Sequence, residues 1–382
     1  IMQIIPIASG KGGVGKSLLS ANLAIALGQA GKNVLIADLD LGASNLHLVL
    51  GQQSNAHGIG TFLSGNSSFE DTIVNTGYPN VRFIPGDSEI PGFAALKASD
   101  KNSLIKNLLK MDADYLILDL GAGTHLGILD FFLLSPQGIV VTAPSVTAIL
   151  NAYLFLKNVV FRMLYGAFKR NSPGFKYLEK LKTDSSSMQR MYIPRIITEL
   201  EKVDPKNTEL FLSNLRKFKP RLIMNMLDDP KDADKALKIR RSCQEYLNIN
   251  LEHLGVIYRD MIQDTALASR LPVILYKPQA MISQAIYRIA DKILQSETET
   301  FQNAADYAEY TDETFQSAEL EAETDFRSKM GYIEDLIGSD ALTMNDIAEM
   351  LKSQQYEISV LKKENALLKR KIKTALEQGY RI

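Results

Sequence analysis

Ile4-Ile5-Pro6-Ile7-Ala8-Ser9-Gly10-Lys11-Gly12-Gly13-Val14-Gly15-Lys16-Ser17-Leu18 is the stretch on which the fold turns. Ile4 to Ala8 is a short apolar run of strand type. Lys16 to Ala30 repeats apolar residues at helical spacing, with Leu19, Leu23 and Leu27 on one face. Between them, Gly10 to Ser17 satisfies G-x-x-x-x-G-K-S, placed after a predicted strand and before a predicted helix. Gly10, Gly12, Gly13 and Gly15 carry no side chain to block an anion. Successive main-chain amides, Lys11, Val14 and Leu18 included, form a cradle at a helix start. Lys16 is expected at the β- and γ-phosphates of a nucleotide and Ser17 as a magnesium ligand.

Outward from this loop, short β-branched runs alternate with helical segments. Strands are predicted at Val34 to Asp38, Val81 to Pro85, Tyr115 to Asp119, Gly138 to Thr142, Leu222 to Asn225 and Leu254 to Tyr258, with helices at Ser103 to Met111 and Ala148 to Tyr165. The strands are apolar almost throughout, as burial on both faces requires. The predicted class is α/β: a mainly parallel doubly wound sheet in three α/β/α layers, with a helical C-terminal extension. Functional loops belong beyond the carboxyl ends of the strands.

The 382 residues are 46% apolar with a formal net charge of -1, so one sizeable core is expected and no global footprint for nucleic acid or anionic lipid. Cys243 is the single cysteine, which excludes an internal disulfide and a cysteine-rich metal or iron–sulfur site. The first residues lack a basic segment, apolar core and cleavage site in series, and the longest apolar runs are expected to be too short to span a bilayer. A cytoplasmic location follows as the expectation. His47, His57, His125 and His253 are dispersed and are read as non-metal residues.

The ATPase-type domain is expected over residues 1–294, with a mostly helical insertion at 166–221 holding 13 Lys or Arg against 6 Asp or Glu. That insertion is a solvated elaboration or a surface for an acidic partner or lipid. Ser296 to Asp325 carries 10 acidic residues and no Lys or Arg, so 295–325 reads as an extended acidic linker. Phe301, Tyr307, Tyr310 and Phe315 are the residues in it that can dock on the domain. Residues 326–382 read as helical. Ile358, Leu361, Asn365, Leu368, Ile372 and Ala375 recur as an a/d seam, giving a short coiled coil at 351–376. The same helix is basic at Lys362, Lys363, Lys369, Arg370, Lys371 and Lys373, so self-association, packing on its own domain and contact with a membrane surface all stay open.

Several ordered motifs carry a family likeness. SGKGGVGKS, Asp38-Leu39-Asp40 with Asn45, Asp119 with Gly121 and Gly123, Val141-Thr142-Ala143-Pro144 with Thr147, Asn225, and Leu254 to Asp260 followed by Ala266, Arg270 and Pro272 together resemble the MinD/ParA family of deviant Walker A P-loop ATPases. The likeness covers residues 2 to 294, interrupted by the insertion. It implies that Lys11 crosses a homodimer interface to the partner's nucleotide, as an arginine finger does. It implies that Asp40 positions or activates the attacking water close to phosphate and magnesium, that Asp38 supports the metal shell, and that Asp119 contacts magnesium through water or from behind its direct ligands. Gly123 then senses the γ-phosphate, while Asn225 and Asp260 lie on the base side. Asn225 can donate to and accept from an adenine edge, and no N-K-x-D signature for guanine is present, so ATP/ADP with Mg2+ are the implied cofactors. The chain departs from the family in lacking a proline at Leu120 to His125, in having Ser145 and Asn151 where acids are usual, and in having Tyr258 where proline is frequent.

The function this resemblance implies is a dimerising ATP switch, hydrolysing slowly, that positions a cellular structure such as the division site or flagella. Its partners would be a homodimer mate in the ATP state, a protein activator or cargo, and the inner face of the cell membrane. Alternatives are a DNA-partition or cargo-positioning ATPase, with DNA as docking surface, and a nucleotide-gated adaptor with little turnover.

Overall fold

The computed structural model describes residues 2–41, 44–53, 57–86, 96–183, 192–297, 301 and 303–338, with a few isolated positions beyond. Residues Ile1–Asp325 form one compact unit and Phe326–Ile382 another. Of the coiled-coil seam, Ile358, Leu361, Asn365 and Ala375 lie outside the described residues, while Leu368 and Ile372 are described, both helical and exposed.

Eight strands make one sheet in the order β3-β4-β2-β5-β1-β6-β7-β8. They are β1 (Gln3–Ser9), β2 (Val34–Leu39), β3 (Val74–Asn75), β4 (Val81–Ile84), β5 (Tyr115–Ala122), β6 (Ile139–Thr142), β7 (Arg221–Leu227) and β8 (Glu252–Tyr258). All neighbours are parallel except β3, a two-residue antiparallel edge strand absent from the sequence reading. Ile7, Ile36, Ile117 and Val141 face one layer and Leu35, Leu116, Leu118 and Val140 the other, all buried. Period-2 alternation therefore covers both faces with apolar residues, which is why the strands look continuous in sequence.

One layer holds α1 (Lys16–Gln29) and α9 (Met281–Gln295). Twelve of the fourteen residues of α1 are buried, so it is a central helix enclosed on nearly all sides. The other layer includes α3 (Leu126–Phe132) and α4 (Val146–Ala167), against which the last helix of the insertion packs. The helix expected from Ser103 is α2 (Ala98–Leu108), starting a turn and a half earlier with Asp100 in its first turn, where a carboxylate meets the positive helix end. By length and composition α4 is apolar enough to cross a bilayer, contrary to the expectation that every apolar run is too short. Its stripe Ala152, Phe155, Leu156, Val159, Val160 and Leu164 is buried in this domain. Among the described residues the insertion contains α5 (Pro173–Thr183), α6 (Ile193–Val203) and α7 (Pro205–Lys217), with α8 (Lys235–Ser242) following β7.

Residues 304–325 correct the linker expectation. They form the first part of α10 (Ala304–Gly338) and belong to the compact unit. Tyr307, Thr311, Phe315, Ala318, Ala322 and Asp325 are buried at spacings of four, four, three, four and three, one face of a helix. The acidic residues of this segment meet cations of the domain: Asp312 pairs with Arg240 of α8, while Glu321 and Asp325 pair with Lys292 and Arg288 of α9. Charge read within the segment alone suggested self-repulsion, whereas the matching positive charges lie far away in sequence. Of the aromatic residues singled out in the segment, Tyr307 and Phe315 are indeed buried.

This helix runs along β8, the sheet edge. Tyr310 donates to Glu252, Thr314 accepts from the His253 amide, and Tyr258 donates to the Ala322 carbonyl. Twelve residues of helix advance about 18 Å and six residues of strand about 20 Å, so the contacts stay in step along the whole strand. A row of edge groups that would invite another strand is thereby covered. His253 lies edge-on to Phe315 at 5.0 Å, and burial together with the Lys292 charge pushes its imidazole down to about 3. At the amino ends of the strands, the buried Arg221–Glu252 pair is completed by Ser296 and Tyr310.

Phe315→Ala is expected to lower the unfolding free energy by about 3 kcal/mol in urea titration. A loosely attached linker would change it by less than about 0.5 kcal/mol.

Candidate functional site

The parallel sheet brings the carboxyl ends of β1, β2, β5, β6, β7 and β8 to one edge, and the glycine loop follows β1 there. Gly13 and Gly15 have φ of 78° and 83°, in the left-handed region. A Cβ on Gly13 would point into open space, whereas one on Gly15 would lie 2.2 Å from the Asn225 side-chain nitrogen. The loop is therefore open on its outer side and closed behind.

Lys16, the first residue of α1, reaches Asp119 at 2.8 Å, with Lys16 7% exposed and Asp119 fully buried. Ser20, one turn along α1, donates to the same Asp119 oxygen at 2.9 Å. Ser20 was missed in the sequence; its signal was only the four-residue spacing from Lys16. Lys16 also lies 3.3 Å from the Ser17 hydroxyl. The register of β2 and β5 sets Asp38 directly beside Asp119. Burial and the Asp119 charge push the Asp38 carboxyl up to about 7, despite bonds from Ser44 and from the amides of Asp40 and Leu46. Burial also raises Asp40, with Lys16 opposing and Asp119 adding to the rise.

Asn225 holds the loop from behind. Its amide donates to the Val14 carbonyl at 2.9 Å, and its oxygen accepts from the Met226 amide. Lys11 donates to the Thr147 hydroxyl at 3.1 Å, on the exposed side of the loop. The Gly123 amide donates to Ser9, which ties the segment after β5 to β1. Asp260 accepts from the Ile262 amide and starts the short helix Ile262–Ala268. The side chain of Leu18 is in the core.

A cavity of about 370 Å³ opens beside the loop, lined by Lys11, Gly12, Gly13 and Val14 together with Pro144, Ser145, Met226, Asp228 and Arg259. Met226, Asp228 and Arg259 were not foreseen. Met226 has a left-handed φ of 63° at a register break between β7 and β8, a bend that no residue type in that run announces. Thus Lys11 to Val14 share one cavity wall, while Lys16, Asp119, Asp38 and Asp40 form a carboxylate-rich cluster of their own at the start of α1.

The donor set fits magnesium held in part by phosphate. The second Asp119 oxygen is buried without a hydrogen-bond partner, and Ser17, Asp38 and Asp40 stand near it in the same loop cluster. Among the described residues no three His, Cys, Asp or Glu side chains converge to hold a metal unaided. Magnesium characteristically takes one or two carboxylates and completes its shell with phosphate oxygens and water.

A family model described as "CobQ/CobB/MinD/ParA nucleotide binding domain" matches residues 5–371. The septum site-determining protein MinD of Helicobacter pylori is 32% identical over 155 residues, 38% of this chain and 54% of that protein. The flagellum site-determining protein YlxH of the same organism is 35% identical over 162 residues, 41% and 53% of the two chains. The chain thus spans about half the length of these curated relatives. Among solved structures, MinD of Pyrococcus horikoshii complexed with Mg-ADP superposes with a TM-score of 0.54 at 23% identity, covering 78% of this chain and 98% of that one. A likeness of that identity concerns the fold.

Because the folded Asp38 sits at about 7 against an ordinary 3.8, the folded protein binds the extra proton between these values. Its contribution is present below about pH 4 and is lost as pH rises through about 7. Urea titrations in EDTA should show this fall in stability in the wild type and a flattened profile over the same window in Asp38→Asn.

Proposed function

The chain belongs to the CobQ/CobB/MinD/ParA family of nucleotide-binding domains, and from that premise we propose that it is an ATP-hydrolysing, dimerising switch that controls the position of a cellular structure. The observation that carries this reading is the loop itself: glycines in left-handed geometry, open outward, with Lys16 on buried Asp119 at the helix start.

In this reading the amides of Gly10 to Ser17 and the Lys16 ammonium bind the phosphates of ATP. Lys16 exchanges Asp119 for phosphate, so the carboxylate that holds it also becomes free for a second partner. Ser17 and Asp38 would hold magnesium, with Asp119 reaching it through water, and the ion when bound would supply positive charge to the phosphate oxygens. Asp40 stays near the phosphate end and orients the attacking water; its raised affinity for a proton suits a group that accepts one. Asn225 fixes the loop through Val14, and an amide that can both donate and accept suits the edge of adenine.

Lys11 gives the site its requirement for a second copy. It stands on the exposed side of the loop, able to leave Thr147 and reach a nucleotide across an interface. Apolar residues surround that edge: Val146 is 84% exposed, Met261 80% and Leu126 64%. All three follow carboxyl ends of strands, on the side where the loop opens. Burying them between two copies would sequester the phosphates and supply the partner's Lys11 charge, so assembly becomes part of hydrolysis. Control of position, as in the names of the relatives MinD and YlxH, then follows if only the ATP-bound pair docks on its surface and hydrolysis releases it. The docking surface in this reading is the membrane or a protein bound there.

Native mass measured with ADP and with ATP tests the switch. The wild type is expected to be monomeric with ADP and dimeric with ATP. Lys11→Ala should stay monomeric, and Asp40→Ala should remain dimeric with turnover down about 100-fold or more. A mass indifferent to ATP in all three proteins contradicts the reading. Flotation of the Asp40→Ala dimer with anionic liposomes, against retention on DNA, separates membrane docking from partition-type docking.

A further inference from the structure

We propose that Tyr258 is a positioning residue through which the docked segment 304–325 sets the nucleotide affinity of the phosphate-loop cavity; this rests on the nucleotide-binding reading of that cavity. Tyr258 is the last residue of β8 and is buried, and its hydroxyl donates to the Ala322 carbonyl at 2.8 Å. The next residue, Arg259, lines the cavity together with Gly12, Gly13 and Val14. One side of Tyr258 therefore belongs to the covering helix and the next peptide to the nucleotide wall.

The need for such an anchor comes from the strand pair itself. Between Asn225 and Leu227 the register of β7 and β8 shifts around Met226, and the final pair is Leu227 with Tyr258. Beyond that break Arg259 keeps one main-chain bond, to Leu227 at 2.9 Å, and an exposed 3.3 Å ion pair with Asp228. Exposed ion pairs hold little by themselves. The Tyr258 hydroxyl fixes this end of the strand to an element outside the sheet. Ala318 and Ala322, both buried, let the helix approach closely enough for its main chain to be the acceptor.

Two consequences follow from linkage. If the docked segment holds the wall in its nucleotide-binding form, nucleotide must in turn hold the segment docked, by the same factor. The segment continues into the helix that leads to residue 338, so a load or partner acting there changes affinity at the cavity without touching the nucleotide.

The test uses the full chain, ADP as ligand, calorimetry for affinity and hydrogen exchange for the segment. Tyr258→Phe removes one oxygen and keeps the ring. It is expected to weaken ADP binding about 5- to 10-fold, the cost of one buried hydrogen bond, and to abolish ADP-induced protection of 304–325. Thr314→Val removes a bond at the other end of the same strand and should keep ADP affinity within about two-fold, which separates positioning from general loosening. Equal affinity in Tyr258→Phe and the wild type, or an equal loss in Thr314→Val, overturns the proposal. Failure of the wild type itself to bind millimolar ADP would instead sink the underlying nucleotide reading, and the proposal with it.

Discussion

Two carboxylates on adjacent strands, Asp38 and Asp119, stand side by side at the buried end of the sheet, and the Lys16 ammonium lies against Asp119. Parallel pairing of β2 with β5 dictates that closeness, and burial makes it costly. A pair of like charges out of water is tolerable only if one is neutralised and the other takes up a proton, or if a cation joins them. The site is therefore held in a condition that positive charge relieves. The glycine loop supplies the complementary arrangement one strand away, main-chain amides with nothing in front of them. Attraction for anion in the loop and for cation at the carboxylates is what a magnesium-bound polyphosphate satisfies at once.

Most of this was legible in the chain. The phosphate loop is a local motif, so Gly10 to Ser17, the strand before it and the helix after it can all be read from neighbouring residues. The same holds for the buried strands, whose apolar runs leave little choice. Asp119 was legible as a carboxylate at a strand end, but its contacts to Lys16 and Ser20 depend on which strands become neighbours, which no local pattern records.

The acidic segment shows the limit in the other direction. Its composition argued for solvation, yet Tyr307, Thr311, Phe315, Ala318 and Ala322 recur at every third or fourth position as one buried face, and that period outweighs the charge. Acidity became favourable because Arg240, Arg288 and Lys292 come from two helices that flank the last strand. Tyr258 belongs to the same story. It looked like a departure from a family pattern at one position, and it is explained by a partner 64 residues away. The Met226 bend was invisible for a different reason: left-handed geometry there falls on a residue type that seldom adopts it.

Both margins of the sheet are finished. One ends in the two-residue strand β3, too short to template anything, and the other is capped by a helix along its length. Among the described residues neither margin offers a long bare strand for another to pair with. Contact between copies across the described part of this sheet would therefore run through loops and helices rather than through added strands.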